Sequence, residues 1–171
     1  MEEEKTLTSE VLSETYDASD RPFDFVGADV GTALICESDA SLKEKLPAAM
    51  QSLDYQITEA ASAKDALKNM RYHTYNVVIV NENFDTDNPA NNEVLNYLAN
   101  LNMSTRREIF VAMISNRFRT MDNMAAFNNS VNLIINAKNI DDAVTIIKGA
   151  IADHEAFYYV YKETLKKKGR I

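Results

Sequence analysis

Four polar side chains that could take part in chemistry each follow a short run of apolar residues. A fully buried parallel strand has such a run, and functional side chains of open α/β sheets lie just beyond the carboxyl ends of the strands. We therefore expect these four side chains to form a hydrogen-bonded cluster at one edge of a sheet. They are Glu37 and Ser38 after residues 32–36, Asn81 after residues 77–80, and Ser115 after residues 109–114.

The chemistry open to this cluster is limited. Mg²⁺ prefers near-octahedral oxygen coordination anchored by one or two carboxylates, and Glu37 with the Asn81 carbonyl supplies only one negative charge. Asn81 carries an amide, which cannot attack phosphorus as a carboxylate can. We expect no bound metal ion, with Glu37 as a weak candidate ligand, and no cofactor.

No catalytic motif occurs elsewhere in the chain. The sequence has no Ser-His-Asp or Cys-His arrangement, glycine-rich phosphate loop or paired-carboxylate pattern, and His73 and His154 are isolated. The single cysteine, Cys36, ends an apolar run and is predicted to lie in the core. We therefore predict that the protein is not an enzyme.

The elements that must position the cluster alternate between strand and helix. Strands are predicted at residues 32–36, 55–60, 77–80, 109–114 and 131–135. Helices are predicted to begin at Asp39 or Ser41, at Ser62, at Asn88 with Pro89 as first helical residue, at Thr120, and at Asn139. This order predicts an α/β fold with a five-stranded parallel sheet and right-handed crossovers, over residues 31–153.

Charge is concentrated at the start of the chain. Of the 171 residues, whose formal net charge is −8, positions 1–30 hold nine acids against Lys5 and Arg21. We expect this segment to be largely flexible, with residues 21–26 forming either an ordered strap on the domain or a motif for a partner. An acidic chain argues against nucleic-acid binding, and no apolar run is long enough to cross a membrane. We expect a cytoplasmic protein.

The last predicted helix is longer than the domain needs. One 3.6-residue stripe runs from Ile140 through Tyr158, Tyr161 and Leu165, so residues 154–171 form an extension of the helix. The aromatic residues of this extension need another surface to cover them. A second copy of the chain, the strap at 21–26 and another protein all remain open.

Over roughly residues 32–153 the chain resembles the receiver domains of response regulators. The resemblance rests on the order of elements and on Leu34-Ile35-Cys36-Glu37-Ser38-Asp39, Val77-Val78-Ile79-Val80-Asn81-Glu82-Asn83 and Ala112-Met113-Ile114-Ser115. It implies a flavodoxin-like (βα)5 three-layer sandwich. It also implies that Glu37 and Asp39 lie in the acidic pocket, that Asn83 lends a backbone carbonyl to a metal, and that Ser115 matches the Ser/Thr of the fourth strand.

The same resemblance places unsuitable residues at three positions of the receiver pocket. The phosphoacceptor position falls on Asn81, the second magnesium-binding acid on Ser38, and the phosphate-binding lysine on Asn136, unless a longer loop brings Lys138 there. The switch aromatic falls on Leu133. These departures imply a degenerate receiver pocket.

We therefore predict a phosphorylation-independent, receiver-like module of bacterial two-component signalling, acting on a signalling protein or on a second copy of itself. Its candidate contact residues are Met121, Met124 and Phe127 on the fourth helix of the five-unit fold, and Tyr158, Tyr161 and Leu165 on the last. Exposed methionines make adaptable binding surfaces. The alternative is a receiver switched by phosphorylation at Asp39 or Asp85, or by a small ligand at the strand ends.

Overall fold

The computed structural model describes residues 6–23, 25–27 and 29–170. Its five strands are β1 (Thr32–Cys36), β2 (Gln56–Glu59), β3 (Val77–Asn81), β4 (Phe110–Ser115) and β5 (Leu133–Asn136). Its helices are α1 (Leu7–Ser13), α2 (Ala40–Ser52), α3 (Ala63–Tyr72), α4 (Glu93–Asn100), α5 (Met103–Arg106), α6 (Asn123–Asn128) and α7 (Ala143–Lys167). Short 3₁₀ turns lie at Ala18–Asp20, Pro89–Asn91 and Ala137–Asp142.

The strands form one parallel sheet in the order β2-β1-β3-β4-β5. The register pairs Ala33 with Val77 and Val77 with Phe110. Every residue of β1, β3 and β4 is buried, which is why these strands are almost continuously apolar. The predicted flavodoxin-like fold with an extended last helix is confirmed.

Helices cover both faces of the sheet and create two apolar cores. Alternate strand residues such as Leu34 and Val78 pack towards α3, α4 and α6. Their neighbours, such as Ile35 and Ile79, pack towards α2 and α7. This three-layer arrangement holds the carboxyl ends of β1, β3 and β4 side by side.

Polar side chains fix where the helices begin. Asp39 accepts from the amides of Ser41 and Leu42 at the start of α2, and Ser62 accepts from the Asp65 amide at the start of α3. Pro47 lies within α2 without ending it.

Three predicted helix starts are wrong. Asn88 and Pro89 begin only a 3₁₀ turn, and α4 starts at Glu93, where the side chain of Asn92 accepts from the Leu95 amide. The helix predicted from Thr120 starts at Asn123, after Asp122, whose side chain accepts from the Ala125 amide. In these two cases a second capping residue nearer the apolar stripe determines the start. The last helix, predicted from Asn139, starts at Ala143, because residues 137–142 form a 3₁₀ turn.

The acidic N-terminal segment contains ordered structure where we expected a largely flexible chain. Helix α1 packs on α3 through Val11, which is 2% exposed. Arg71 of α3 donates to the carbonyl oxygens of Val11 and Glu14 at 2.7 and 3.0 Å. Residues 1–5, Asp24, Ala28 and Ile171 of the predicted terminal segments lie outside the described residues, and the three-part division at residues 30 and 153 stays a prediction.

The strap is also attached to the domain. The ring of Phe23 packs edge-on against His73 and Tyr75, whose ring centroids lie 5.2 and 6.0 Å away. These contacts lie next to α3 and not on the extension of α7. Among the described residues, no helix combines the length and apolar content needed to cross a bilayer.

Candidate functional site

A polar cluster lies at the carboxyl edge of the sheet, but it does not join all four predicted side chains, because Ser115 donates to Glu82 instead. The centre of the cluster is the pair Glu37 and Asn81, which are 3% and 9% exposed. The Asn81 side-chain nitrogen donates to both carboxylate oxygens of Glu37, at 3.0 and 2.9 Å. The backbone amides of Ser38 and Asp39 donate to the same carboxylate, at 2.8 and 2.9 Å. Four contacts from three residues therefore satisfy the buried Glu37 carboxylate.

The oxygen of the Asn81 side-chain amide also takes part in a hydrogen bond. It accepts from the Asn83 amide at 2.9 Å and so shapes the loop that follows β3. The backbone oxygen of Asn81 accepts from the side chain of Asn92, which is fully buried. Asn81 thus holds the ends of β1 and β3 and the start of α4 in one network.

A second carboxylate, which the sequence reasoning missed, fills the space beside β4. Glu82 is 1% exposed and accepts from the Ser115 hydroxyl at 2.8 Å and from the Asn116 amide at 3.1 Å. Arg117 donates to its other oxygen through Nε at 2.9 Å and Nη2 at 2.7 Å. An acid immediately after a buried strand and an arginine just beyond the next strand are the sequence signals that could have revealed the pair.

The balance of these contacts lowers the pKa of Glu82. Burial alone would raise the pKa, because it disfavours the charged carboxylate, but hydrogen bonds from Arg117, Ser115 and Asn116 outweigh that effect. The same contact raises the pKa of Arg117. These contacts therefore favour the charged carboxylate of Glu82, to which the Ser115 hydroxyl donates a hydrogen bond.

The predicted alternative phosphoacceptors are both used as hydrogen-bond acceptors at helix starts. Asp39 accepts from Ser41 and Leu42, and hydrogen bonds from these residues lower its pKa. Asp85 accepts from the Ala63 amide at 2.9 Å, at the start of α3. Both side chains are exposed, but each already accepts a backbone hydrogen bond at the start of a helix.

Asn136 and its neighbours lie further along the same edge. The Asn136 side chain donates to the Phe118 carbonyl at 2.8 Å and accepts from the Lys138 amide at 3.0 Å. Leu133 is 4% exposed and packs in the core shared with α2 and α7. The structure brings Glu37, Asn81 and Asn83 together directly, but it places Ser115 with Glu82 and Asn136 with the loop after β4.

Comparison with solved structures identifies the fold. A receiver domain protein from Methanospirillum hungatei shares 15% identity and a TM-score of 0.55, covering 75% of this chain and 98% of its own. A proposed response regulator from Chloroflexus aurantiacus shares 17% identity and a TM-score of 0.58, covering 72% and 99%. The signal receiver domain of an HD domain-containing protein from Pseudomonas fluorescens shares 12% identity and a TM-score of 0.56, covering 74% and 98%.

The chain has the receiver-domain fold. At these identities the likeness concerns the fold alone. No protein-family model matches the sequence. No curated protein matches it either.

Among the described residues, the carboxyl edge of the sheet has no cluster of side chains that could bind a metal ion. No group of three or more His, Cys, Asp or Glu side chains comes together within the part of the chain that the structure describes. Because Asn81 and two backbone amides already donate to Glu37, a cation there would have to displace three donors. The residues present do not fit a magnesium site.

The receiver fold also carries an exposed apolar surface, formed by α6, β5 and α7. Met124 and Phe127 of α6 are 70% and 78% exposed, and Phe157 of α7 is 80% exposed. A groove of about 310 Å³ between these elements is lined in part by Met121, Leu133, His154 and Phe157. We call the set Met121, Met124, Phe127 and Phe157 the α6–α7 surface.

The structure places the other candidate contact residues differently from the prediction. Met121 precedes α6, with a left-handed backbone (φ 61°), and does not share the helix face of Met124 and Phe127. Tyr158, Tyr161 and Leu165 are only half-exposed. The guanidinium of Arg107 lies 4.9 Å from the centre of the Tyr161 ring, so the domain itself partly covers that face of α7.

Proposed function

We propose that this protein is a phosphorylation-independent receiver-like signalling module that acts through protein–protein contacts. The observation that carries the proposal is the double hydrogen bond from Asn81 to Glu37. In the receiver arrangement the position of Asn81 holds the group that attacks phosphorus, and an amide that donates to a neighbouring carboxylate has no such reactivity.

The pair of Glu82 and Ser115 supports the same proposal. A phosphoryl group at the strand ends would need free hydrogen-bond donors and a nearby cation to balance its charge. Here the Ser115 hydroxyl and the Arg117 guanidinium already bind the Glu82 carboxylate. A phosphoryl group would have to compete with a buried carboxylate of this chain for both donors.

The alternative of a switch at another aspartate has less support. Asp39 and Asp85 each accept backbone hydrogen bonds at the start of a helix. Phosphorylation of either aspartate would disturb the hydrogen bonds that its carboxylate accepts, and so would weaken the first turn of α2 or α3. Neither aspartate combines a free carboxylate with neighbouring acids that would hold a metal ion.

The α6–α7 surface is the proposed contact region for a signalling partner. Exposed apolar patches often mark protein interaction sites, and Met124 and Phe127 lie three residues apart on α6, so they share one face of the helix. Met124 and Phe127 keep most of their surface in contact with water, so their burial by a partner would contribute favourably to binding. The proposed module needs no catalytic residue and no cofactor.

The decisive test combines intact mass with amide NMR spectra, recorded with and without Mg²⁺ and acetyl phosphate. We expect no gain in mass and no shifts at Glu37, Asn81 or Ser115. A gain of one phosphoryl group would overturn the proposal, and shifts without a mass gain would indicate a ligand-sensing receiver instead. The variant Asn81→Asp with Ser38→Asp serves as comparison. If it also stays unmodified, the missing acids are not the only defect.

The contact region is tested separately by affinity capture. Immobilised wild-type protein is compared with the double variant Met124→Ser, Phe127→Ser and with the control Phe25→Ser, whose side chain is 83% exposed but lies outside the surface. We expect a protein that wild type and the control retain and the double variant loses. Equal retention by all three would contradict the assignment of this surface.

A further inference from the structure

Helix α7 has an outer face that no described residue covers. The face is formed by Gly149, Ala152, Ala156, Tyr159 and Val160, which repeat at spacings of three and four residues and are all exposed. Tyr159 is 63% and Val160 72% exposed. A side chain built at Gly149 would meet nothing within 4 Å, so the face is also open at this position.

The opposite face of α7 is already occupied by the domain. Ile147 is fully buried in the core beneath α2 and α7. Further along, His154 packs edge-on against Phe110, with 5.5 Å between ring centroids, and Tyr161 lies under Arg107. The strap at 21–26 packs through Phe23 against His73 and Tyr75, so it does not cover the outer face.

The charges at the two ends of this half of the helix differ in sign, with Lys162 and Glu163 between them, and Lys162 forms an ion pair with Glu108 at 3.9 Å. Asp153 and Glu155 precede Tyr159 and Val160, whereas Lys166, Lys167 and Lys168 follow them. None of these five side chains forms an ion pair with another described residue. At about 1.5 Å per residue, Glu155 and Lys166 are roughly 16 Å apart along the helix.

We propose that the outer face of α7 binds the same face of a second copy of this chain in antiparallel orientation. A two-fold axis near Tyr159 and Val160 places the acids of each copy opposite the lysines of the other. A parallel pair would place three lysines against three lysines. The small residues before the axis allow the helices to approach closely, and Tyr159 and Val160 supply apolar surface.

Lys148 agrees with this orientation, because its counterpart position falls beyond the end of the partner helix. Glu163 is an exception, because it is an acid on the basic side of the axis. Its counterpart position is Ala156 of the partner, which carries no charge. The antiparallel overlap therefore extends from about Ala152 to Lys167 of each copy.

The proposed dimer goes beyond the signalling function and can fail independently of it. Met124 and Phe127 of the α6–α7 surface take no part in the outer face. Variants of the outer face test the dimer, and variants of α6 test partner binding.

The first experiment measures molar mass by light scattering and sedimentation over protein concentrations up to about 1 mM. We expect a rise from 19.3 kDa towards twice that value. Glu155→Lys and Lys166→Glu should each weaken association at least tenfold, and the two changes together should restore it, because each copy then offers the reversed pair. A monomer at all concentrations would overturn the proposal, and failure of the double variant to recover would contradict the antiparallel pairing.

The second experiment reads the orientation from cysteine cross-linking. Val160→Cys, near the axis, should form a disulfide-linked dimer with itself. Ala152→Cys and Lys167→Cys should each stay unlinked alone but link to each other when mixed. Cys36 is fully buried and does not compete. Self-linking of Ala152→Cys and Lys167→Cys would demonstrate a parallel pair and overturn the antiparallel orientation.

Discussion

The pair Asn81 and Glu37 shows how replacing one carboxylate oxygen by an amide nitrogen changes the pocket at the carboxyl edge of the sheet. An aspartate at position 81 would place a second carboxylate where the amide now donates at 2.9 Å. Two buried carboxylates at that separation cannot both stay charged without a cation. The amide thus gives a pocket that is stable without a metal ion.

We expect Asn81→Asp to lower the free energy of unfolding by about 1–3 kcal/mol, because a donor is lost and Glu37 gains a repelling neighbour. Mg²⁺ should restore part of that loss by binding between the two acids, whereas wild-type stability should not respond. Thermal unfolding with and without Mg²⁺ measures both effects. Asn83→Asp, in the exposed loop beyond β3, is the matched control, and a magnesium response there as well would contradict the assignment to the Glu37 pair.

Glu82 makes stability depend on pH. Its pKa is lower in the folded protein than the ordinary value of 4.5, so the carboxylate contributes stability above that pH. The contribution is lost as the pH falls through the folded-state pKa. Acid should therefore weaken the protein below about pH 4.5, with Glu82 among the responsible groups.

Arg117→Met tests this contribution. Without the guanidinium, the hydrogen bond that most lowers the pKa of Glu82 is lost and this pKa rises, so the acid-induced loss of stability should begin at a higher pH than in wild type. At neutral pH we expect a cost of about 1–3 kcal/mol, because Ser115 and Asn116 still donate to the buried acid. Urea unfolding between pH 7 and pH 3.5 measures both. Arg119→Met, which removes a nearby exposed charge, should leave the pH profile unchanged.

At the scale of elements, α1 depends on polar contacts with α3. Lys64 lies 2.8 Å from both Glu10 and Glu14, and Lys68 lies 2.9 Å from Glu14. Such surface pairs contribute little individually. The Arg71 hydrogen bonds to two carbonyl oxygens at the end of α1 and the burial of Val11 hold the helix more strongly.

Arg71→Met should release α1 while leaving the sheet intact. We expect amide hydrogen exchange in α1 to accelerate at least tenfold, with exchange in β1 and β3 unchanged, since local opening does not require global unfolding. Hydrogen-exchange mass spectrometry measures both regions. Lys148→Met, an exposed change on α7, is the control, and undisturbed exchange of α1 in Arg71→Met would show that the Arg71 hydrogen bonds do not hold the helix.

The sequence predicts elements better than it predicts their starts. Buried strands such as β3 are recognised because a short, continuous run of β-branched residues is typical of a strand covered on both faces. Helix starts are harder, since Asn88 and Asn92 are both good capping residues and only packing of Val94 and Leu98 selects Asn92. The strand ends led us to expect Glu37, Ser38, Asn81 and Ser115 in one cluster, whereas Ser115 donates to Glu82. Glu82 was missed because its partners, Ser115 and Arg117, are more than 30 residues away along the chain.

Across the whole molecule, the sheet couples two apolar cores. Leu98 of α4 packs on one face and Leu46 of α2 on the other, and they are 1% and 0% exposed. Because β1 and β3 contribute alternate residues to both cores, loosening one face should loosen the other. The described domain is therefore expected to unfold cooperatively.

Leu98→Ala and Leu46→Ala should each cost about 2–5 kcal/mol of unfolding free energy. Leu12→Ala, at a position that is 56% exposed, should cost less than about 0.5 kcal/mol. Urea unfolding followed by circular dichroism and by tyrosine fluorescence gives the free energies. Separate transitions for the two probes in either core variant would contradict a single cooperative unit.

Cys36 gives this protein a built-in reporter of its own opening. The thiol lies fully buried in β1, the second strand of the sheet from one edge, and burial raises its pKa, so the folded chain offers neither access nor a thiolate to an alkylating reagent. Alkylation then proceeds only through molecules in which β1 has come apart from its neighbours. The rate of labelling under native conditions therefore reports how often β1 separates from its neighbours, and no further cysteine has to be introduced.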